Sequence, residues 1–181
     1  MKKNIIIWLL FLILTGCVSS STIPGSISEN ISNYDGTKEL SIEPAWLYDS
    51  SIKLGLLKNT KMEKDDIVLI AVVKGTHLIN SGESLHIRID KKFFNFSSID
   101  SMTDIKMTEG AYSGIYIPPS NWSSKRYIIT KAFLEKLINA NDAWVKIELS
   151  KTYVEGRFSS DALTTARPAF KKFYEKINKW D

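Results

Sequence analysis

Few residues in this chain belong to types that carry chemistry, and their spacing argues against most of what they could do. The two histidines are His77, in a Gly-Thr-His turn, and His86, on the polar side of an alternating run. Neither has a second donor at metal-ligand spacing, so both read as solvated or hydrogen-bonded side chains and no metal or cofactor is expected. Gly82-Glu-Ser-Leu-His86 opens like a nucleophile elbow, but it lacks the closing glycine and precedes a strand where an elbow follows one. Ser50-Ser-Ile-Lys53 fits a Ser-x-x-Lys spacing, with no Lys-Thr-Gly elsewhere in the chain to complete it. Asp65-Asp66 lies in a turn of alternating charge, the pattern of a solvated loop. Glu148 and Glu155 are expected to face each other across a hairpin, with Lys146 and Arg157 as ion-pairing neighbours. A hydrolase built on any of these groups is the weakest of the functional readings, and no catalytic residue is assigned.

The richest segment for recognition is Tyr112-Ser-Gly-Ile-Tyr-Ile-Pro-Pro-Ser-Asn-Trp-Ser-Ser-Lys-Arg-Tyr127. Aromatic rings with polar tips, set among small polar residues and beside a basic pair, suit the surface of a sugar, a peptide or a protein partner. Tyr112, Tyr116, Trp122, Lys125 and Arg126 are the candidate binding residues, carried on a loop. The competing reading is a long connection pinned to the core by its aromatic side chains, and the sequence leaves both open.

The elements that must position these residues are mostly strands. Ile67-Val-Leu-Ile-Ala-Val-Val73 is a β-branched run of the kind found in a central strand. In Ser84-Leu-His-Ile-Arg-Ile89 the apolar residues alternate with His86 and Arg88, and Asp90-Lys-Lys92 reads as a hairpin turn into Phe93–Ile99. Further strands are predicted at 52–57, 103–107, 113–117, 125–129, 144–149 and 152–158. Thr130 is placed to cap a helix whose apolar face is Phe133, Leu134, Leu137 and Ile138. Pro168 suits the first position of a second helix with the stripe Phe170, Phe173, Tyr174 and Ile177. Consecutive strands joined by short turns predict an α+β domain: a mainly antiparallel sheet or sandwich of about seven to nine strands, with two helices in the C-terminal third.

The N-terminus carries a different signal. Met-Lys-Lys-Asn precedes an uncharged run from Ile5 to Leu14 and then Thr15-Gly16-Cys17. A basic start, a short apolar run and small residues at its end describe a secretory signal peptide over residues 1–16; the run is too short for a spanning helix, which needs about 20 residues. Leu14-Thr15-Gly16-Cys17 resembles the lipobox of bacterial envelope lipoproteins, in which cleavage precedes the cysteine. The resemblance implies that Cys17, the sole cysteine of the 181 residues, is acylated and holds the chain to a lipid bilayer. It also implies a cell-envelope location, and with Val18 and Ser19 after the cysteine, the outer membrane in a cell that has two.

Residues 17–40, with Ser19, Ser20, Ser21, Ser26 and Pro24-Gly25, read as a lipidated flexible tether of roughly 25 Å mean span. One globular domain is expected over 41–181. The formal net charge of +4 includes Lys2 and Lys3, so the processed chain carries +2. That small excess, with mixed signs, excludes nucleic acid as the expected partner. The leading expectation is a tethered, non-enzymatic binding or assembly module with an envelope protein or glycan as partner. The alternative is a small-ligand or glycan binder using residues 112–127.

Overall fold

The computed structural model describes residues 24–112, 116–158 and 166–180. Along the chain these residues form β1 (Ile27–Ile31), β2 (Lys38–Trp46), β3 (Ile52–Asn59), β4 (Asp66–Lys74), β5 (Glu83–Ile89), β6 (Lys92–Ser97), β7 (Asp104–Thr108), β8 (Ala111–Tyr112), β9 (Tyr116–Ile117) and β10 (Ser120–Thr130). The helix α1 (Lys131–Ile138), the hairpin of β11 (Ala143–Glu148) with β12 (Tyr153–Arg157), and the helix α2 (Ala166–Ile177) complete the order. The class is α+β, as the alternation predicts. A six-stranded antiparallel sheet runs β1-β2-β3-β4-β10-β7, a four-stranded one runs β12-β11-β5-β6, and β8 and β9 pair as a short ribbon.

Alternation explains the layering. Ile67, Leu69, Ala71 and Val73 of β4, Leu54 and Leu56 of β3, and Tyr127 and Ile129 of β10 turn one face of the larger sheet inward. Leu85 and Ile87 of β5 with Val145 and Ile147 of β11 supply the facing layer from the smaller sheet. Two isolated bridges also join the sheets, Ser98 after β6 with Tyr127 of β10, and Tyr48 after β2 with Arg157 of β12. Burying side chains of this size is worth about 1.5–3 kcal/mol each, so this shared layer is the main source of stability.

The two helices pack against each other, α1 beside β10 and α2 across β2 and β3. Thr130 Oγ1 accepts the Phe133 N–H at 3.1 Å, the expected N-cap. The buried face of α1 is Phe133, Leu134, Leu137 and Ile138. In α2 the helix begins at Ala166, so Pro168 sits inside the first turn, where its missing N–H leaves no intrahelical bond unmade. Phe170, Phe173 and Ile177 are buried and Tyr174 is partly so. Arg167 Nε donates to the Ile138 carbonyl at 3.1 Å, satisfying an orphan acceptor at the end of α1.

Strand structure starts earlier than the domain boundary expected at residue 41. Residues 27–31 form β1, which pairs along its length with 38–42 of β2. Four of the five β1 side chains are exposed, so the strand is held by backbone bonds and leaves no hydrophobic period to detect. In β2 the period is broken by a bulge between Ile42 and Ala45, where Pro44 is accommodated. Opposite it, a Cβ on Gly55 would stand 2.8 Å from the Ile42 carbonyl oxygen and 3.2 Å from Pro44 Cγ, so glycine is required there. Cys17 and the signal segment lie outside the described residues.

Candidate functional site

The segment read as a recognition loop belongs to a hairpin. Asp104 pairs with Ser124 and Thr108 with Ser120 in the larger sheet, and Ala111 pairs with Ile117 and Tyr112 with Tyr116 in the ribbon, all in one register. Residues 104–112 and 116–124 are therefore two arms of one structure. Its ladder lapses at 109–110 against Pro118-Pro119, where two missing N–H donors interrupt the pairing.

Three sets of contacts fix the base of this arm. The Asp100 carboxylate accepts the Arg126 backbone N–H at 2.7 Å, Nη2 at 2.7 Å and Nε at 3.0 Å. This guanidinium holds the Asp100 carboxyl below the usual carboxylate range, and the carboxylate raises Arg126 in turn. On the inner face Ser123 Oγ accepts the His77 N–H and donates to the Gly75 carbonyl, both at 2.8 Å. Lys125, 1% exposed, donates from Nζ to the carbonyls of Asn80 at 3.2 Å and Asp100 at 3.4 Å.

On the outer face Trp122 meets Trp46 edge-to-face, with ring centroids 5.5 Å apart. Lys53 Nζ stands 4.6 Å from the Trp46 centroid and 4.0 Å from that of Trp122. Burial against the rings pushes the Lys53 ammonium below its ordinary range. The Trp122 indole N–H donates to Ser120 Oγ at 3.0 Å.

The five predicted binding residues thus divide. Tyr112 and Tyr116 are exposed near the tip, at 80% and 63%. Trp122 is half-buried in its stack and Arg126 is exposed but engaged by Asp100. Lys125 points into the protein, away from any partner surface. The predicted strand at 125–129 extends back to Ser120, so residues 120–124 are strand and not loop; Ser123 holds an inward position of β10 where an apolar residue is usual, which hides that half. Two residues not singled out in the sequence join the tyrosines on the arm. Ile105 and Met107 are exposed at 43% and 72% although they lie on the inner side of their strand. Their alternation with Asp104 and Lys106 was the available signal.

A second surface covers the outer face of the smaller sheet. Cross-strand register places Arg157, Trp144, Arg88 and Phe93 in one row, and Glu155, Lys146, His86 and Asn95 in the next. All of these but Arg157 line a shallow depression of about 420 Å³. Asp142 accepts Arg88 Nη2 at 3.0 Å and the Trp144 indole N–H at 3.1 Å. Lys146 and Glu148 pair at 2.6 Å, which holds the ammonium above its usual range. Glu155 stands opposite Lys146 and Glu148 opposite Tyr153, so the two glutamates do not face each other as expected.

The nucleophile candidates are drawn elsewhere. A bulge between Glu83 and Leu85 turns Ser84 into the core, where its hydroxyl bonds Tyr127 Oη at 2.9 Å. That burial raises the Tyr127 phenol. His86 lies on the opposite face, with Nδ1 2.9 Å from Asn95 Oδ1. Ser50 Oγ accepts the Ile52 N–H at 3.1 Å, while the Lys53 ammonium is directed to the indoles. His77 Nε2 lies 3.1 Å from the Lys74 carbonyl and packs over Gly75, where φ is +106°. Among the described residues no three His, Cys, Asp or Glu side chains gather as metal ligands, and no helix is long and apolar enough to cross a membrane.

The arm and the sheet face must speak for themselves, because no family model, no curated protein and no solved structure matches the chain.

Proposed function

We propose that this chain is a lipid-anchored protein of the bacterial envelope that works by binding, and that it presents the 104–124 hairpin to a protein partner. One observation carries the reading: Ile105, Met107, Tyr112 and Tyr116 are all exposed on the two arms formed by 104–112 and 116–124. Exposed apolar groups concentrated on a single element are characteristic of contact surfaces. The anchor rests on Leu14-Thr15-Gly16-Cys17, and Val18-Ser19 favours the outer membrane where there are two.

Two measurements test the proposal. Labelled fatty acid should enter the wild type and not Cys17→Ser; equal labelling would remove the anchor. Photo-crosslinking side chains at positions 112 and 116, in living cells, should give discrete adducts that the same group at Lys172, on the exposed side of α2, does not give. Adducts of equal yield at all three positions would remove the arm.

The glycan alternative is supported at a different place from residues 112–127. The outer face of the smaller sheet offers Trp144 and Phe93 as ring platforms, with Arg88 and Asn95 as polar groups beside them. Such pairing suits the apolar face and hydroxyl rim of a sugar. Quenching of tryptophan fluorescence by cell-wall oligosaccharides, lost in Trp144→Phe, would support it. Unchanged fluorescence at millimolar oligosaccharide would exclude it.

A further inference from the structure

We infer that the partner meeting the edge of the arm is a second copy of this chain, paired antiparallel along β7 about a twofold axis at Ile105; this rests on the reading of the arm as a contact surface. Among the described residues β7 is the last strand of its sheet, with β10 on one side. Which of its backbone groups face outward follows from β10. The Gly75 N–H donates to the Asn121 carbonyl and the Lys131 N–H to the Asp65 carbonyl, so the odd-numbered residues of β10 address β4. The Ile99 N–H donates to the Arg126 carbonyl, so the even-numbered residues address the opposite side. In antiparallel pairing successive residues alternate between the two sides. Trp122 and Ser124 therefore form the hydrogen-bonded pairs with Lys106 and Asp104, and the N–H and C=O groups of Ile105 and Met107 are directed at the open edge.

An open edge of this kind takes a strand, and charge selects which one. With the axis at Ile105, that residue lies opposite its own copy and exchanges both backbone hydrogen bonds with it. Asp104 then lies opposite Lys106 of the second copy, twice, in the closely spaced pairs where side chains meet best. Met107 falls opposite Thr103. An axis at Lys106 would oppose lysine to lysine, and one at Met107 would set Lys106 against Thr108 and Ile105 against Glu109. Only the Ile105 axis matches both charges. It also covers Ile105 on the face where the monomer leaves it exposed. A lone edge lysine would block self-pairing; Asp104, two residues earlier, removes that block.

The test uses the full chain in membranes. Ile105→Cys brings two thiols together across the axis, at the spacing of a hydrogen-bonded pair, which lies within disulfide range. Mild oxidation should yield a disulfide-linked dimer on a non-reducing gel. Adding Asp104→Lys should reduce the dimer about tenfold, and adding Asp104→Lys with Lys106→Asp should restore it, since the swap rebuilds both opposite-charge pairs. A dimer from Met107→Cys with none from Ile105→Cys would overturn the register. Failure of the charge swap to restore the dimer would overturn the pairing. No disulfide dimer, with crosslinks persisting at positions 112 and 116, would overturn self-association and leave the arm as a surface for another protein. Loss of both would overturn the arm itself.

Discussion

Trp122→Ala should destabilise the protein by about 2–3 kcal/mol, while Tyr112→Ala with Tyr116→Ala should stay within about 1 kcal/mol. The difference follows from what each ring touches. Trp122 loses an edge-to-face contact with Trp46 at 5.5 Å, a pair worth about 0.5–1.5 kcal/mol beyond area. It loses a cation–π contact with Lys53 at 4.0 Å, worth about 0.5–1 kcal/mol at a partly solvated site. Partial burial adds transfer energy below the roughly 3–5 kcal/mol of a fully buried tryptophan. Urea denaturation followed by linear extrapolation measures all of these. A double-mutant cycle of Trp122→Ala with Lys53→Met, which keeps the aliphatic stem, should return about 0.5–1 kcal/mol of coupling. A Trp122→Ala variant within about 0.5 kcal/mol of wild type, or a cycle with no coupling, would refute the stack as a structural element and return Trp122 to the recognition surface.

Three other outcomes are expected. Asp100 titrates below its ordinary 3.8, so the stability it contributes is complete above that value and is lost as pH falls through the lower, folded one. Asp100→Asn should cost about 1 kcal/mol at neutral pH, and its melting curve should converge on that of the wild type in strong acid; a gap that persists there would show that charge is not the cause. Ending the chain after Arg167 removes Phe170, Phe173 and Ile177 from the core and should give a protease-sensitive or insoluble product, whereas an unchanged melting temperature would show α2 to be dispensable. Lys91 occupies the left-handed region at φ +76°, so Lys91→Gly should stabilise by up to about 1 kcal/mol in a thermal melt, and a loss of stability would argue that the Lys91 side chain makes a contact of value.

Two kinds of strand were legible, the continuous β-branched run of β4, buried on both faces, and the clean alternation of β5, and so were the faces of α1 and α2. The strands that escaped did so for separable reasons. β1 buries almost nothing and is defined by its neighbour's backbone, while β2 loses its period at Pro44. Of β10 only 125–129 was legible; its first half hides because Ser123 fills an inward position, and the polar atoms of Ser123 and Lys125 are satisfied by carbonyls and amides of loops remote in sequence. For the same reason Lys125 looked like a surface cation. Tyr112 and Tyr116 could be found because their composition and spacing mark an exposed polar-aromatic segment locally. The row of Arg157, Trp144, Arg88 and Phe93 could not, since it depends on β5 pairing with β11, more than fifty residues away.

The strand order of the larger sheet has a consequence for reach. β1, the first strand after the proposed anchor, and β7, the base of the arm, are its two outermost strands. Five interstrand steps separate them, about 24 Å measured along the sheet at roughly 4.8 Å each. That distance is built into a hydrogen-bonded ladder. Changing the number of residues between Cys17 and β1 would raise or lower the whole body above a bilayer without altering it. Under the proposed anchoring, standoff from the lipid and presentation of the arm would be governed by different parts of the chain, so one could lengthen or shorten while the other kept its geometry.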